Sequence, residues 1–129
     1  MTPHVMAEIR SEQGQVVRTY QPTVWLRPTS AATAGQVTQL MVGVVQGGTA
    51  SNVALPGVQV AAKTGTAQTV GNALDNNWLV AFAPAAHPTI AVAVVVPAQP
   101  GLGSNPTGSA TAGPIARAVL AAALGVKGS

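Results

Sequence analysis

Val58-Gln59-Val60-Ala61-Ala62-Lys63-Thr64-Gly65-Thr66-Ala67-Gln68 opens a series of three β-like runs, continued by Trp78 to Ala83 and by Thr89 to Val96. The linking segments, Thr69 to Asn77 and Pro84 to Pro88, are too short for the crossover that parallel strands require, so adjacent runs must pair antiparallel. An antiparallel meander is therefore expected. Val80, Phe82, Val92, Val94 and Val96 are expected to supply its inward bulk, and the alternating alanines leave room for a helix to pack closely on the other face.

Two helical patterns flank the meander. On its N-terminal side, Val37, Leu40, Met41, Val44 and Val45 recur with the 3.6-residue period of an amphipathic helix, and such a stripe is read as core. Thr29 or Ser30 can cap this helix, and Gly47-Gly48 is expected to stop it through a left-handed glycine. On the C-terminal side, Pro114 sits where a first helical residue belongs, followed by the apolar Ile115, Val119, Leu120 and Leu124. Gly125 is the expected stop, Lys127 complements the negative helix end, and Pro97 to Gly113 reads as a loop. Upstream, the alternation of Val5, Ala7 and Ile9, the cluster Ser11-Glu12-Gln13-Gly14 and the run Val16 to Thr19 predict a small β-hairpin. The fold class is α+β, an antiparallel sheet with packed helices.

Composition bounds what such a domain can do. The chain has 129 residues, of which 47% are apolar, 7% charged and 3% aromatic, so a single core built of aliphatic side chains is expected and disorder is excluded. The net charge of +3 comes from six scattered cations. Nucleic-acid binding needs a dense basic stripe, and single-strand binding also needs aromatic platforms, so neither is expected. The absence of cysteine removes disulfides, thiolate nucleophiles and cysteine metal sites. The longest apolar stretch, Ile90 to Pro97, is far short of the roughly 20 residues that span a bilayer. So few charges suit an isolated soluble domain poorly, since about 25% is typical, and this points to a piece of something larger.

Lys63 carries the chemistry. It is the only cation between Arg27 and Arg117, and a lysine within an apolar strand is expensive to desolvate unless it faces a cleft with a partner. Thr64 and Thr66 place two hydroxyls on one strand face, and Gly65 admits a ligand or another backbone close to the strand. The four residues together make a candidate anion receptor. Gly57-x-x-x-x-Ala62-Lys63-Thr64 approaches a phosphate-binding loop, but the second glycine is missing and the β-branched Val58 and Val60 occupy a cradle that needs free amides. His4 and His87 each sit beside a proline in a turn and make no metal set with Asp75, so no metal and no cofactor are expected. Ser51 and Ser104 lack a base and read as loop serines. Trp78 reads as core.

Lys-Thr-Gly on a strand is an element of serine-acylating penicillin-binding proteins and β-lactamases. The longer context is more specific. Thr2-Pro3-His4, Gly48-Thr49-Ala50, Lys63-Thr64-Gly65-Thr66-Ala67-Gln68, Asn77-Trp78-Leu79-Val80-Ala81-Phe82-Ala83-Pro84 and the valine-rich Ile90 to Val96 resemble, in order, the C-terminal half of a class B penicillin-binding protein transpeptidase domain, in particular its mycobacterial A type. The likeness covers essentially the whole chain, 1–129. Ala62 stands where a glycine often precedes the lysine.

The resemblance implies a D,D-transpeptidase that crosslinks peptidoglycan on the extracytoplasmic face of the bacterial plasma membrane, in cell division and shape, and that is acylated by β-lactams. It implies that Lys63 holds the serine of a Ser-x-Asn motif and favours an anionic substrate. Thr64 and Thr66 would bond the carboxylate of a stem peptide ending in D-Ala-D-Ala, with Gly65 between them, and the Thr66 amide would form half of the oxyanion hole. It also places Trp78 beside the active-site mouth. The family's other two motifs are missing: Val60 and Leu124 stand three residues before the two lysines, and no asparagine has a serine two residues before it. The partners implied are therefore the stem peptide, β-lactams and a complementary segment carrying Ser-x-x-Lys and Ser-x-Asn. The alternative is a noncatalytic module that binds stem peptide or another protein.

Overall fold

The computed structural model describes residues 6–21, 23–68, 75–98 and 107–126. The predicted roles of Thr2-Pro3-His4, Val5, Ser104 and Lys127 lie outside the described residues. The chain divides into two compact units, 1–34 and 35–129.

In the first unit, β1 (Glu8–Arg10) and β2 (Val16–Thr19) form the expected antiparallel hairpin. Its turn is closed by Ser11 N–H donating to the Gln15 carbonyl at 2.8 Å and Gly14 N–H to the Ser11 carbonyl at 2.9 Å. Gly14 takes φ 81°, a left-handed value that a side chain would strain. All seven strand residues are exposed.

Helix α1 (Ala31–Gly47) begins at Ser30, whose hydroxyl oxygen accepts from Thr33 N–H at 3.1 Å. It ends where predicted, but not by the predicted device. Left-handed glycines occur at 14, 57 and 125 only among the described residues, and Gly48 serves instead by close approach, because a Cβ there would meet the Val44 backbone at 2.9 Å. The apolar stripe is also only partly core. Of its members Val45 is buried and Met41 and Val44 are half-buried, whereas Val37 is exposed and Leu40 is 73% exposed; Val42, outside the predicted stripe, is buried. Periodicity places a stripe on one face without saying that another element covers it.

The second unit carries the meander, with strands β3 (Ala61–Gln68), β4 (Asp75–Ala83) and β5 (Ile90–Val96) in that spatial order, all antiparallel. β4 is central and β3 is an edge strand of this sheet. Register sets the faces. Leu79 lies opposite Val94 and Ala81 opposite Val92, so these four share a face, and Leu79, Ala81 and Val94 are buried there with Val53, Val60 and Ala62. Val92, Val94 and Val96 pack as predicted. Val80 and Phe82 do not, since they point to the opposite face, where Val80 is exposed and Phe82 joins Met41, Val42, Ala61 and Ala85. Side-chain bulk does not set the faces, because parity along β4 requires Leu79, Ala81 and Ala83 to share one side.

The reason is the second helix. α2 (Gly108–Leu124) lays Gly108, Ala112, Ala116 and Leu120, spaced four apart, onto the Leu79 face. Small residues on both surfaces let the helix come close. A Cβ on Gly108 would sit 2.5 Å from the Trp78 carbonyl oxygen and 3.0 Å from that of Gly65. α2 therefore starts six residues before the predicted Pro114, and residues 108–113 are helix rather than loop. Thr107 is the cap, its hydroxyl accepting from Ala110 N–H at 3.2 Å. Pro114 deprives the Ala110 carbonyl of a helical donor, and both residues lie on the exposed side of the helix. Ile115 and Val119 are exposed with them, while Leu120 is fully buried. Gly125 stops α2 as expected, at φ 65°, with Val126 N–H reaching the Ala121 carbonyl at 3.0 Å.

Candidate functional site

Three segments of the second unit meet around the Lys-Thr-Gly strand. β3 runs along the sheet edge, residues 48–51 lead out of α1 into a short 3-10 turn (Ser51–Val53), and α2 begins at Gly108. Between them lies a groove of about 440 Å³ lined by Gly48, Thr49, Ser51, Thr64, Thr66, Thr107, Gly108 and Ser109. Six of these eight residues carry hydroxyls, so the groove is neutral and rich in groups that both donate and accept.

Parity along β3 divides the predicted receptor. Ala62, Thr64 and Thr66 point to the α2 side and Lys63 and Gly65 to the other, because side chains alternate across a strand. The two threonines are thus brought together as expected. Thr64 is half-buried and Thr66 exposed. The Thr64 and Thr49 hydroxyls lie 2.9 Å apart in a hydrogen bond, tying the Gly48-Thr49-Ala50 segment to the strand. Lys63 is exposed and does not line this groove. Its ammonium donates to the Thr64 carbonyl oxygen at 2.6 Å, which bends the exposed side chain back along the strand. Hydroxyls and charge therefore reach the same stretch of strand from opposite faces.

Gly65 lies opposite Trp78 in the ladder, and a Cβ at 65 would meet that of Trp78 at 3.4 Å. Trp78, read as core, is 42% exposed on the Lys63 side of the sheet. The same parity that buries Leu79 turns its neighbour outward. Next to it, Asn77 is 1% exposed on the α2 side, and its Oδ1 has no hydrogen-bond partner among the described residues.

Four walls of the groove are not expected from the sequence: Ser51, which reads as a loop serine, and Thr107, Gly108 and Ser109. With Pro114 as the helix start, Thr107, Gly108 and Ser109 read as loop, although a threonine ahead of a run of small residues carries an N-cap signal. Asn52 was likewise passed over. Its amide Nδ2 donates to the Ser109 carbonyl oxygen at 2.7 Å and its Oδ1 accepts from the Ser109 hydroxyl at 3.0 Å. His87 stands exposed in the bend after β4, and no group of three His, Asp or Glu among the described residues could hold a metal ion.

Comparison with known proteins gives the family and the fold. The family model described as the penicillin binding protein transpeptidase domain matches residues 1–121. A peptidoglycan D,D-transpeptidase PbpA of Mycolicibacterium smegmatis is 39% identical over 127 residues, which cover 96% of this chain and 26% of the relative. The solved structure of penicillin-binding protein A from M. tuberculosis in a ceftriaxone acyl-enzyme complex superposes with a TM-score of 0.81 at 36% identity, covering 95% of this chain and 28% of that one. The D,D-transpeptidase domain of a peptidoglycan glycosyltransferase from Eggerthella lenta gives a TM-score of 0.71 at 31% identity over 92% of this chain and 27% of that one. The chain spans about a quarter of the length of the curated relatives it matches, 26% for the mycobacterial enzyme.

Proposed function

The chain belongs to the penicillin-binding protein transpeptidase family, and from that premise we propose that it supplies the substrate-holding strand of a peptidoglycan D,D-transpeptidase whose nucleophile comes from another segment. The observation that carries this reading is the edge strand Lys63-Thr64-Gly65-Thr66. It lines a hydroxyl groove on one face and carries on the other the Lys63 ammonium, bonded to the Thr64 carbonyl.

A stem peptide ending in D-Ala-D-Ala lies along the strand with its carboxylate on the Thr64 and Thr66 hydroxyls, and the acid of a β-lactam takes the same place. The Lys63 charge favours that anion and orients the serine of Ser-x-Asn on the complementary segment. The serine of Ser-x-x-Lys attacks the penultimate carbonyl, the Thr66 amide donates to the developing oxyanion, and D-Ala departs. An amine of a second stem peptide then resolves the acyl-enzyme. The site lies at the outer face of the bacterial plasma membrane. No helix among the described residues is long and apolar enough to cross a membrane, so this placement follows the family.

Incubation with a labelled penicillin followed by intact mass measurement tests the division of labour. The expected result is no adduct on this chain alone and one covalent adduct on the complementary segment once the two are combined. An adduct on Ser51 or Ser104 would overturn the reading. Absence of any adduct in the combined material would favour the noncatalytic binding module instead.

A further inference from the structure

The strand at Thr64 and Gly65 is held from two sides, and both holds lead to one side chain. On the first side, the Thr64 hydroxyl bonds that of Thr49, and Thr49 stands three residues before Asn52 in the same short segment. On the second, Gly108 at the start of α2 lies against the Gly65 and Trp78 carbonyls with no space for a methyl group, and Gly108 is the residue before Ser109. Asn52 closes the ring. Its amide makes two bonds to Ser109, 57 positions away, one to the backbone carbonyl and one from the hydroxyl. Its room is reserved as well, because a Cβ on Gly113 would fall 2.6 Å from Nδ2 and 2.8 Å from Oδ1.

We infer that Asn52 is a positioning residue for the Lys63–Thr66 strand: by locking the 48–52 segment to the first turn of α2, it fixes where the Thr64 hydroxyl and the Gly65 backbone stand. It touches no substrate. The two hydrogen bonds to Ser109 tie the segment to the first turn of α2, while buried Val53 and the bond from Arg117 Nε to the Ala54 carbonyl at 3.1 Å hold it further along the same helix. The part assigned here to Thr64 in carboxylate binding rests on the transpeptidase reading above.

The test uses the assembled transpeptidase and two penicillins that differ only in the acid, one free and one as its methyl ester. Asn52→Ala is expected to slow acylation by the free acid about 10-fold, a size that small misplacements of a binding group reach, and to slow the ester clearly less, because the ester uses the Thr66 amide of the same strand but has no carboxylate for the threonine hydroxyls. Ser109→Ala, which keeps the carbonyl acceptor and loses the hydroxyl, is expected to fall between wild type and Asn52→Ala. Equal slowing of acid and ester would mean a merely structural role and overturn the inference, as would unchanged rates. Amide exchange on this chain alone gives a second readout. Asn52→Ala is expected to speed exchange over residues 63–66 while β5 stays protected, and uniform change or none counts against the assignment. If wild type itself fails to distinguish acid from ester, the transpeptidase reading of Thr64 and Thr66 falls, while the exchange result still decides whether Asn52 braces the strand.

Discussion

Lys63→Ala is expected to lower the rate of β-lactam acylation of the assembled transpeptidase by about 100-fold or more, a loss of roughly 3 kcal/mol or above in transition-state stabilisation. The argument is electrostatic. Between Arg27 and Arg117 the chain has no other cation, so no neighbour in that span can replace the charge near the proposed carboxylate position. Its amine bonds the Thr64 carbonyl, which keeps the charge beside the strand that carries the two threonine hydroxyls. The same substitution should leave the fold alone, because the side chain is exposed and an exposed replacement normally stays within about 0.5 kcal/mol. Stopped-flow acylation beside a urea titration separates the two effects. Slow acylation with an unchanged midpoint is the expected pair, and full-speed acylation would remove Lys63 from the site.

Leu120→Ala is expected to cost about 3 to 5 kcal/mol of stability, a large share of the roughly 5 to 15 kcal/mol that holds a domain together. Leu120 is 0% exposed and is the one fully buried large side chain of α2, in a contact surface with Gly108, Ala112, Ala116 and Ala121 and the half-buried Leu124 one turn on. Small neighbours on a helix and a paired sheet cannot collapse into the space that a leucine leaves, so the cavity term is retained nearly in full. Leu40→Ala provides the internal control. That leucine is 73% exposed, and its truncation should shift the unfolding midpoint little. Equal shifts for the two variants in chemical denaturation would contradict the assignment of the core to the α2 side of the sheet.

The comparison of sequence with structure turns on parity and on coverage. The three strands and their antiparallel order were legible because short links forbid crossovers and because turn residues stand at each end. Which β4 side chains face inward was not, since Val80 and Phe82 are bulkier than Ala81 and Ala83. The inward set was decided by a glycine- and alanine-faced helix that needs small residues beneath it. Pro114 concealed that helix's first turns, because proline is disfavoured in helix interiors but tolerated here on the exposed side. The stripe on α1 misleads in the opposite direction, as Val37 and Leu40 have the period of a core and are exposed among the described residues. The Lys-Thr-Gly strand was legible from its chemistry and its resemblance to a family. The rest of the groove was not, because Thr49, Asn52 and Ser109 meet Thr64 only through contacts between segments far apart in the chain.

The most direct measurement is the structure of the assembled enzyme after acylation by a β-lactam with a free carboxylate. The account predicts that carboxylate within hydrogen-bond distance of both the Thr64 and Thr66 hydroxyls, with the Lys63 ammonium on the adjoining side of the strand. A carboxylate bound elsewhere, with both threonines facing only water, would contradict it.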